Sequence, residues 1–190
     1  LKTLMKINLV EEDDNSTITP FKPLNCKNKL GIAAGLDKDG EYIDCLSALG
    51  VGFIEVGTVT PIKQKGNPRP RLFRNKKDKS LLNRLGFNNN GVEALVENLK
   101  NRKSKIPIGV SIGKNFDTPN SEAFNDYLYC MEKVYAHSSY IAINISSPNT
   151  YDLRELSNDK FLEDLLCKIK LKQIELSKSL PYVPIFLKIS

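Results

Sequence analysis

Two asparagines and two serines fall within six residues in Asn144-Ile145-Ser146-Ser147-Pro148-Asn149, directly after the apolar run Tyr140 to Ile143. Amides and hydroxyls can hold a planar, carbonyl-rich ligand, and a hydroxyl with a relay partner can move a proton. A loop this polar beside a core strand costs free energy unless its groups find partners, and a bound ligand is one such partner. Asn83-Arg84-Leu85-Gly86-Phe87-Asn88-Asn89-Asn90 is a second cluster of this kind. One Asn would suffice to cap the helix expected from Val92, so the surplus amides point to ligand hydrogen bonds. Ala34-Gly35-Leu36-Asp37-Lys38 offers a glycine for close backbone approach and a cation for a carboxylate or phosphate. Taken alone, that segment serves equally as an ordinary turn.

Each of these clusters closes an apolar run, so the elements that position them can be read from periodicity. Short apolar runs predict strands at 30–34, 53–56, 108–112, 140–145 and 183–189. Helical spacing appears at 42–49 (Ile43, Leu46, Leu49), 92–99 (Val92, Leu95, Val96, Leu99), 123–135 and 161–176. In the last, Leu162, Leu165, Leu166, Ile169 and Ile174 fall mostly on one side. Residues 57–89 form a long excursion, and the charges of 63–79 are expected to be solvated. Strands alternating with helices imply parallel βαβ units, either an open doubly wound sheet or a (β/α)8 barrel. No G-x-G-x-x-G opens the first helix, which counts against a dinucleotide-binding fold. A typical barrel has about 250 residues, so five strands would be roughly its first five-eighths. The expected layout is a lead-in segment, 1–29, and the N-terminal part of one incomplete TIM barrel, 30–190.

The strand ends carry amides, lysines and hydroxyls, among them Ser111 to Asn115 and Lys188, and Asp37 is the one acid near them. Paired carboxylates for glycoside chemistry are absent. A donor-rich site suits an anionic planar ligand better than a metal ion. The net charge is +6, which solvated lysines explain and which also suits anionic headgroups or a phosphorylated cofactor. No aromatic-rich basic motif points to nucleic acid. Cys26, Cys45, Cys130 and Cys167 make no C-x-x-C pair and are expected to be buried, reduced thiols rather than metal ligands. The single histidine, His137, is expected near a helix end as a cap or surface residue. That argues against a His-built metal site or a Ser-His-Asp triad. No apolar stretch approaches the roughly 18 residues of a membrane span, and no signal peptide is visible. With Leu1 in place of an initiator Met, the chain reads as an excerpt.

Five segments in register resemble the dihydroorotate dehydrogenase family, flavin enzymes of pyrimidine biosynthesis, from about Leu30 onward. They are Ala33 to Lys38, the Gly52 to Arg71 run G-x4-G-T-V-T-x3-Q-x-G-N-x2-P-R, Asn83 to Phe87, the third-strand motif at Ser111 and Asn144 to Thr150. The resemblance implies FMN at the barrel mouth, contacted by Ala34, Gly35, Lys38, Thr58, Ser111, Asn144 and Lys188. It implies dihydroorotate or orotate held by Lys38, Asn83, Arg84, Leu85, Gly86, Phe87, Asn144 and Asn149. Ser147 would be the catalytic base, with Thr150 and Phe87 at the positions of its proton relay. Serine there, rather than cysteine, resembles the class that reduces a quinone at a membrane. That implies peripheral attachment through an N-terminal extension preceding this chain. The location would be the cytoplasmic face of the inner membrane in a bacterium, or the mitochondrial inner membrane in a eukaryote. Ser111 departs from the family's usual Asn, and the shorter side chain implies a flavin hydrogen bond lost or bridged by water there. The family's remaining substrate and phosphate residues would lie past Ser190, so the 190-residue piece alone is expected to bind FMN poorly and to be unstable. Alternatives are another FMN barrel, such as a dihydrouridine synthase, or a non-catalytic half-barrel.

Overall fold

The computed structural model describes residues 24–149, 153–157 and 159–189. Most of the expected lead-in segment, together with Thr150 and Ser190, lies outside the described residues. Five parallel strands form the main sheet: β1 (Gly31–Ile32), β2 (Phe53–Val59), β7 (Ile108–Ile112), β8 (Tyr140–Asn144) and β9 (Ile185–Lys188). Their order across the sheet is their order along the chain. A doubly wound sheet reverses direction at a switch point; this sheet does not, and it matches part of the wall of a (β/α)8 barrel. Helices α1 (Ile43–Ser47), α2 (Val92–Asn101), α3 (Ala123–Val134) and α4 (Asp159–Leu176) follow β1, β2, β7 and β8 along the chain.

Alternation along the strands divides two environments. Ile54, Val56, Ile108, Val110, Ile112, Ile141 and Ile143 point outward into a core shared with the helices. On α2, Val92, Leu95, Val96 and Leu99 are all buried against it, as their spacing predicts. On α3 the buried stripe is Ala123, Tyr127, Cys130, Met131 and Val134. The stripe on α4 is narrower than expected: Leu165, Ile169 and Gln173 are buried, whereas Leu166 and Ile174 are exposed. Gln173 takes the third place because its Nε2 donates to the Val183 carbonyl (2.7 Å), a backbone acceptor just before β9.

The excursion between β2 and α2 is more structured than its composition suggests. It contains an antiparallel ribbon of β3 (Ile62–Gln64) with β6 (Asn89–Gly91), and a hairpin of β4 (Leu72–Asn75) with β5 (Ser80–Asn83). Every hairpin residue is exposed, so these strands leave no burial pattern to read. The turn is set by Asn75, whose Oδ1 accepts from the Lys77 and Asp78 amides. His137 ends the one-turn helix Tyr135–His137 behind α3, half-buried as expected for a helix end.

The cysteine expectation needs correcting, because Cys45 and Cys167 are exposed, Cys26 is half-buried and only Cys130 is buried. Cys45 and Cys167 lie on the solvent sides of α1 and α4, where a small residue meets no packing demand. Burial pushes the Cys130 thiol well above its ordinary value, reinforced by the charges of Asp126 and Glu93. Thiolate is the reactive form. A thiol reagent at neutral pH should therefore modify Cys45 and Cys167 in the folded protein and Cys130 only after unfolding. Mass spectrometry of the labelled peptides checks this, and early labelling of Cys130 would contradict the packing.

Candidate active site

The loops at the carboxyl ends of the strands are joined by backbone and side-chain bonds. Gly35 N donates to Gly57 O (2.8 Å) and Gly57 N to Asp37 O (3.3 Å), which joins the first loop to the end of β2. The Asp37 carboxylate accepts from the Glu41 and Tyr42 amides, so this buried acid is a structural anchor of its loop. Gly35 has φ +110°, a conformation that glycine adopts without strain, and a Cβ there would meet nothing within 4 Å. The space in front of this backbone is open to a ligand.

At Gly57 the β2–β7 register shifts, and a Cβ would lie 2.3 Å from Ser111 O. Glycine lets the strands close there, and the irregularity re-aims the next side chain. That side chain is Thr58. Its hydroxyl lies 2.8 Å from Ser111 Oγ and accepts from Asn144 Nδ2 at 2.8 Å. Thr58, Ser111 and Asn144, expected together from the resemblance, thus form one buried cluster over β2, β7 and β8. Behind β8, Tyr127 OH donates to Asn144 O (2.9 Å). Burial in this apolar position pushes the Tyr127 hydroxyl far above its ordinary value, so it stays a donor.

In the loop after β8, Asn144 Oδ1 accepts from Ser146 N and Oγ. Ser147 Oγ accepts from Asn149 N (3.2 Å), which leaves its own proton to donate. Asn67 Nδ2 donates to Asn149 O (3.1 Å), and Asn149 Nδ2 lies 3.4 Å from both Asn83 O and Asn83 Oδ1. Asn83 and Asn149 therefore meet. Phe87, at φ +51°, packs beside Gly113 and Thr58: a Cβ on Gly113 would come within 2.9 Å of both side chains. A non-glycine residue in this region stores strain, which is common at ligand-holding positions. Arg84 turns away, donating to Pro70 O from Nε and Nη2 and lying over the Phe73 ring. Leu85 and Ala34 are half-buried, and Gly86 abuts Asn67.

Two of the three amides after Phe87 prove structural, whereas the Asn88 Oδ1 is buried without a hydrogen-bond partner among the described residues. Asn89 donates to Thr60 Oγ1 and Phe87 O and accepts from the Thr60 and Gly91 amides. Asn90 bonds the Asp39 carboxylate through its backbone and side-chain N–H groups. The residue before α2 is Gly91, with no side-chain cap. Asn115, unremarked in the sequence beyond its motif, donates to Thr60 Oγ1, Ile62 O and Gln64 Oε1 and accepts from Ile62 N. Gln64 Nε2 then donates to Gly86 O (3.1 Å), so this chain of amides ties the loop after β7 to the segment carrying Phe87.

Charge concentrates at two places. Burial and the neighbouring Arg71 guanidinium push the Lys38 amine below its ordinary value, with Asp39 opposing them. A half-buried amine that feels a second cation is stabilised in its charged form by an anion bound nearby. The second place is inside the wall, where Lys188 Nζ meets Glu55 Oε1 at 2.9 Å and Tyr140 OH donates to Glu55 Oε2 at 2.9 Å. Sequence reading passed over Glu55. The available signal was a carboxylate at an inward position of an otherwise apolar strand.

A chain-ordered parallel wall with amides, hydroxyls and lysines gathered at its carboxyl ends defines a barrel-type α/β protein with a donor-rich small-molecule site. A family model described as dihydroorotate dehydrogenase matches residues 17–190. A dihydroorotate dehydrogenase (quinone) of Pectobacterium carotovorum is 57% identical over 177 residues, covering 90% of this chain and 53% of the relative. Its counterpart in Acinetobacter baylyi is 50% identical over 196 residues, covering 100% of this chain and 57% of the relative. The crystal structure of the ligand-free enzyme of Eimeria tenella superposes with a TM-score of 0.83 at 33% identity, over 100% of this chain and 58% of that one. The chain belongs to the dihydroorotate dehydrogenase family, and it spans about half the length of the curated relatives it matches.

Asn115→Ala removes the centre of the amide chain and leaves Ile62 N without its acceptor. A loss of about 1 kcal/mol or more is expected from the bonds removed, since the Thr60, Ile62 and Gln64 oxygens each keep another partner and the exposed Ile62 N can turn to water. Urea unfolding checks it, and an unchanged midpoint would show that the network bears no weight.

Proposed function

We propose that the protein carrying this chain oxidises dihydroorotate to orotate in pyrimidine biosynthesis, with FMN as the hydride acceptor and a quinone as the final electron acceptor. The observation that best supports this reading is the meeting of Asn83 with Asn149 beside Ser147, at the same end of the sheet as the Thr58–Ser111–Asn144 cluster. Dihydroorotate loses a hydride from C6 and a proton from C5, which leaves the C5=C6 double bond. The two electrons reduce the quinone to a quinol with two protons.

The residues present fit a flavin. The open space at Gly35 admits a flat ring against the backbone, and the buried hydroxyl–amide cluster can face its carbonyls. Ala34, Gly35, Lys38, Thr58, Ser111, Asn144 and Lys188 would hold it, and when bound it supplies the hydride acceptor. Ser111 reaches Thr58 directly, so the shorter side chain at the family's Asn position is not left without a partner.

Lys38 would take the substrate carboxylate, with Asn83, Asn144, Asn149 and the backbone of Arg84 to Phe87 aligning the ring. Alignment of this kind supplies much of a barrier reduction. Ser147 would receive the C5 proton. A lone hydroxyl is a weak base, so it needs a relay, which the family resemblance assigns to the positions of Phe87 and of Thr150, the latter outside the described residues. No helix among the described residues is long and apolar enough to cross a membrane. Because a quinone is lipid-soluble, this reading places the protein peripherally on a membrane, in a bacterium the cytoplasmic face of the inner one.

The flavin absorbance of the purified protein should bleach with dihydroorotate and return with a quinone. Ser147→Ala should slow the bleaching by about 10²–10⁴-fold, the usual weight of a general base, with flavin content unchanged. A near-normal rate would remove Ser147 from this role. Lys38 holds an anion only while protonated, and its amine is shifted below the ordinary lysine value. Orotate affinity should therefore fall as pH rises through that lowered value, and Lys38→Met should abolish the dependence. A wild-type limb at the ordinary lysine value would contradict the assignment.

A further inference from the structure

The group on the inner face of the wall that the proposed reaction leaves unexplained is Glu55. It is the middle of three partners, with its side chain 13% exposed. Lys188 occupies one carboxylate oxygen and the Tyr140 hydroxyl the other. A carboxylate taken out of water in this way costs several kcal/mol before its partners repay it, and an apolar residue of similar size would serve packing as well. A merely structural role therefore explains it poorly.

Neighbouring residues are arranged so that the three can meet. On β7, between β2 and β8, the residue in register with both Glu55 and Tyr140 is Gly109. A Cβ there would lie 2.0 Å from the Tyr140 ring, so glycine is what lets the ring cross β7 toward Glu55. Phe186 packs edge-on against the other side of that ring, with centroids 5.3 Å apart. Lys188 lies two residues beyond Phe186 on the same side of β9, opposite Asn144. Its root is at the mouth and its ammonium is drawn onto Glu55. A lysine stem is flexible, and without a fixed partner its charge would sample many positions. Burial and the Glu55 charge together push the Tyr140 hydroxyl far above its ordinary value, so it remains a donor to the carboxylate.

We propose that Glu55, braced by Tyr140 across Gly109, is a positioning residue that fixes the Lys188 ammonium against the flavin site. This rests on the flavin reading above. Glu55 touches neither substrate nor flavin in this role; it acts through Lys188, whose placed charge favours flavin binding and the electron-rich form of the ring.

A double-substitution cycle on the flavin-loaded protein tests it, read by FMN dissociation constant and by flavin midpoint potential. Lys188→Met should weaken FMN binding and lower the potential. Glu55→Gln should move both in the same direction, with the dissociation constant raised about fivefold, within the usual coupling of contacting charged residues. On the Lys188→Met background Glu55→Gln should add almost nothing. Tyr140→Phe, which preserves the ion pair, should give a smaller shift of the same sign. Unchanged constants in Glu55→Gln, a shift of opposite sign, or an equal shift on the Lys188→Met background would overturn the proposal while leaving the flavin reading intact. If Glu55→Gln does not fold, Tyr140→Phe decides, and no shift in it overturns the proposal. Wild-type protein that takes up no flavin would overturn both.

Discussion

Three neighbouring strands meet side chain to side chain at the Thr58 hydroxyl, 2.8 Å from Ser111 on β7 and from the Asn144 amide on β8. Buried polar groups need partners, and here each partner is another strand's polar group. Replacing Thr58, the one hydroxyl bonded to both, with an apolar residue would remove this partner from Ser111 and from the Asn144 Nδ2, at about 1–3 kcal/mol apiece. The geometry of the mouth depends on this contact, which in turn depends on the irregularity at Gly57, where a side chain would run into the Ser111 carbonyl. The backbone bonds that hold the first loop also converge on Gly57. A hydroxyl at 111 suits this joint. An amide there would be longer and would compete with Asn144 for the same Thr58 oxygen.

The main sheet was legible because it obeys simple rules. Its apolar runs are short and lie between helical spacings, and parallel strands in chain order need only that alternation. The α2 stripe was legible for the same reason. The hairpin 72–83 was not, because both its strands are exposed and are held mainly by cross-strand pairing, which leaves no apolar pattern. The α4 stripe failed at Gln173, where a backbone carbonyl outside the helix chose an amide over an apolar residue.

The site was legible as a set of polar strand ends and less so as a division of labour. Asn149 meets Asn83 and Asn144 meets Thr58, but Asn89 and Asn90, equally polar in sequence, hold the ribbon and the first loop. Composition cannot separate an amide that binds a ligand from one that replaces a missing ladder bond. The separation requires knowing which carbonyls and N–H groups the excursion leaves over. Glu55 was missed for a related reason. Inside a barrel wall the inward positions are not water-facing, so a charge there has meaning only through partners far along the chain.

Those internal partners constrain how a ligand could be held. The Asn144 amide is already engaged on both sides, by Thr58 and by Ser146. A ligand hydrogen bond made there exchanges one neutral contact for another, and the net of such an exchange is small, about 1 kcal/mol at most. Charged donors differ, since hydrogen bonds to an ionised group contribute about 1.5–3 kcal/mol. The amide and hydroxyl cluster is therefore best suited to orientation, and affinity for an anionic ligand must come from the lysines. Lys38 would gain further, because burial and the Arg71 charge disfavour its ammonium and a bound anion would offset both. On the proposed reading, a preformed neutral framework orients a flat, carbonyl-rich anion while Lys38 and the Glu55-paired Lys188 supply the charged donors.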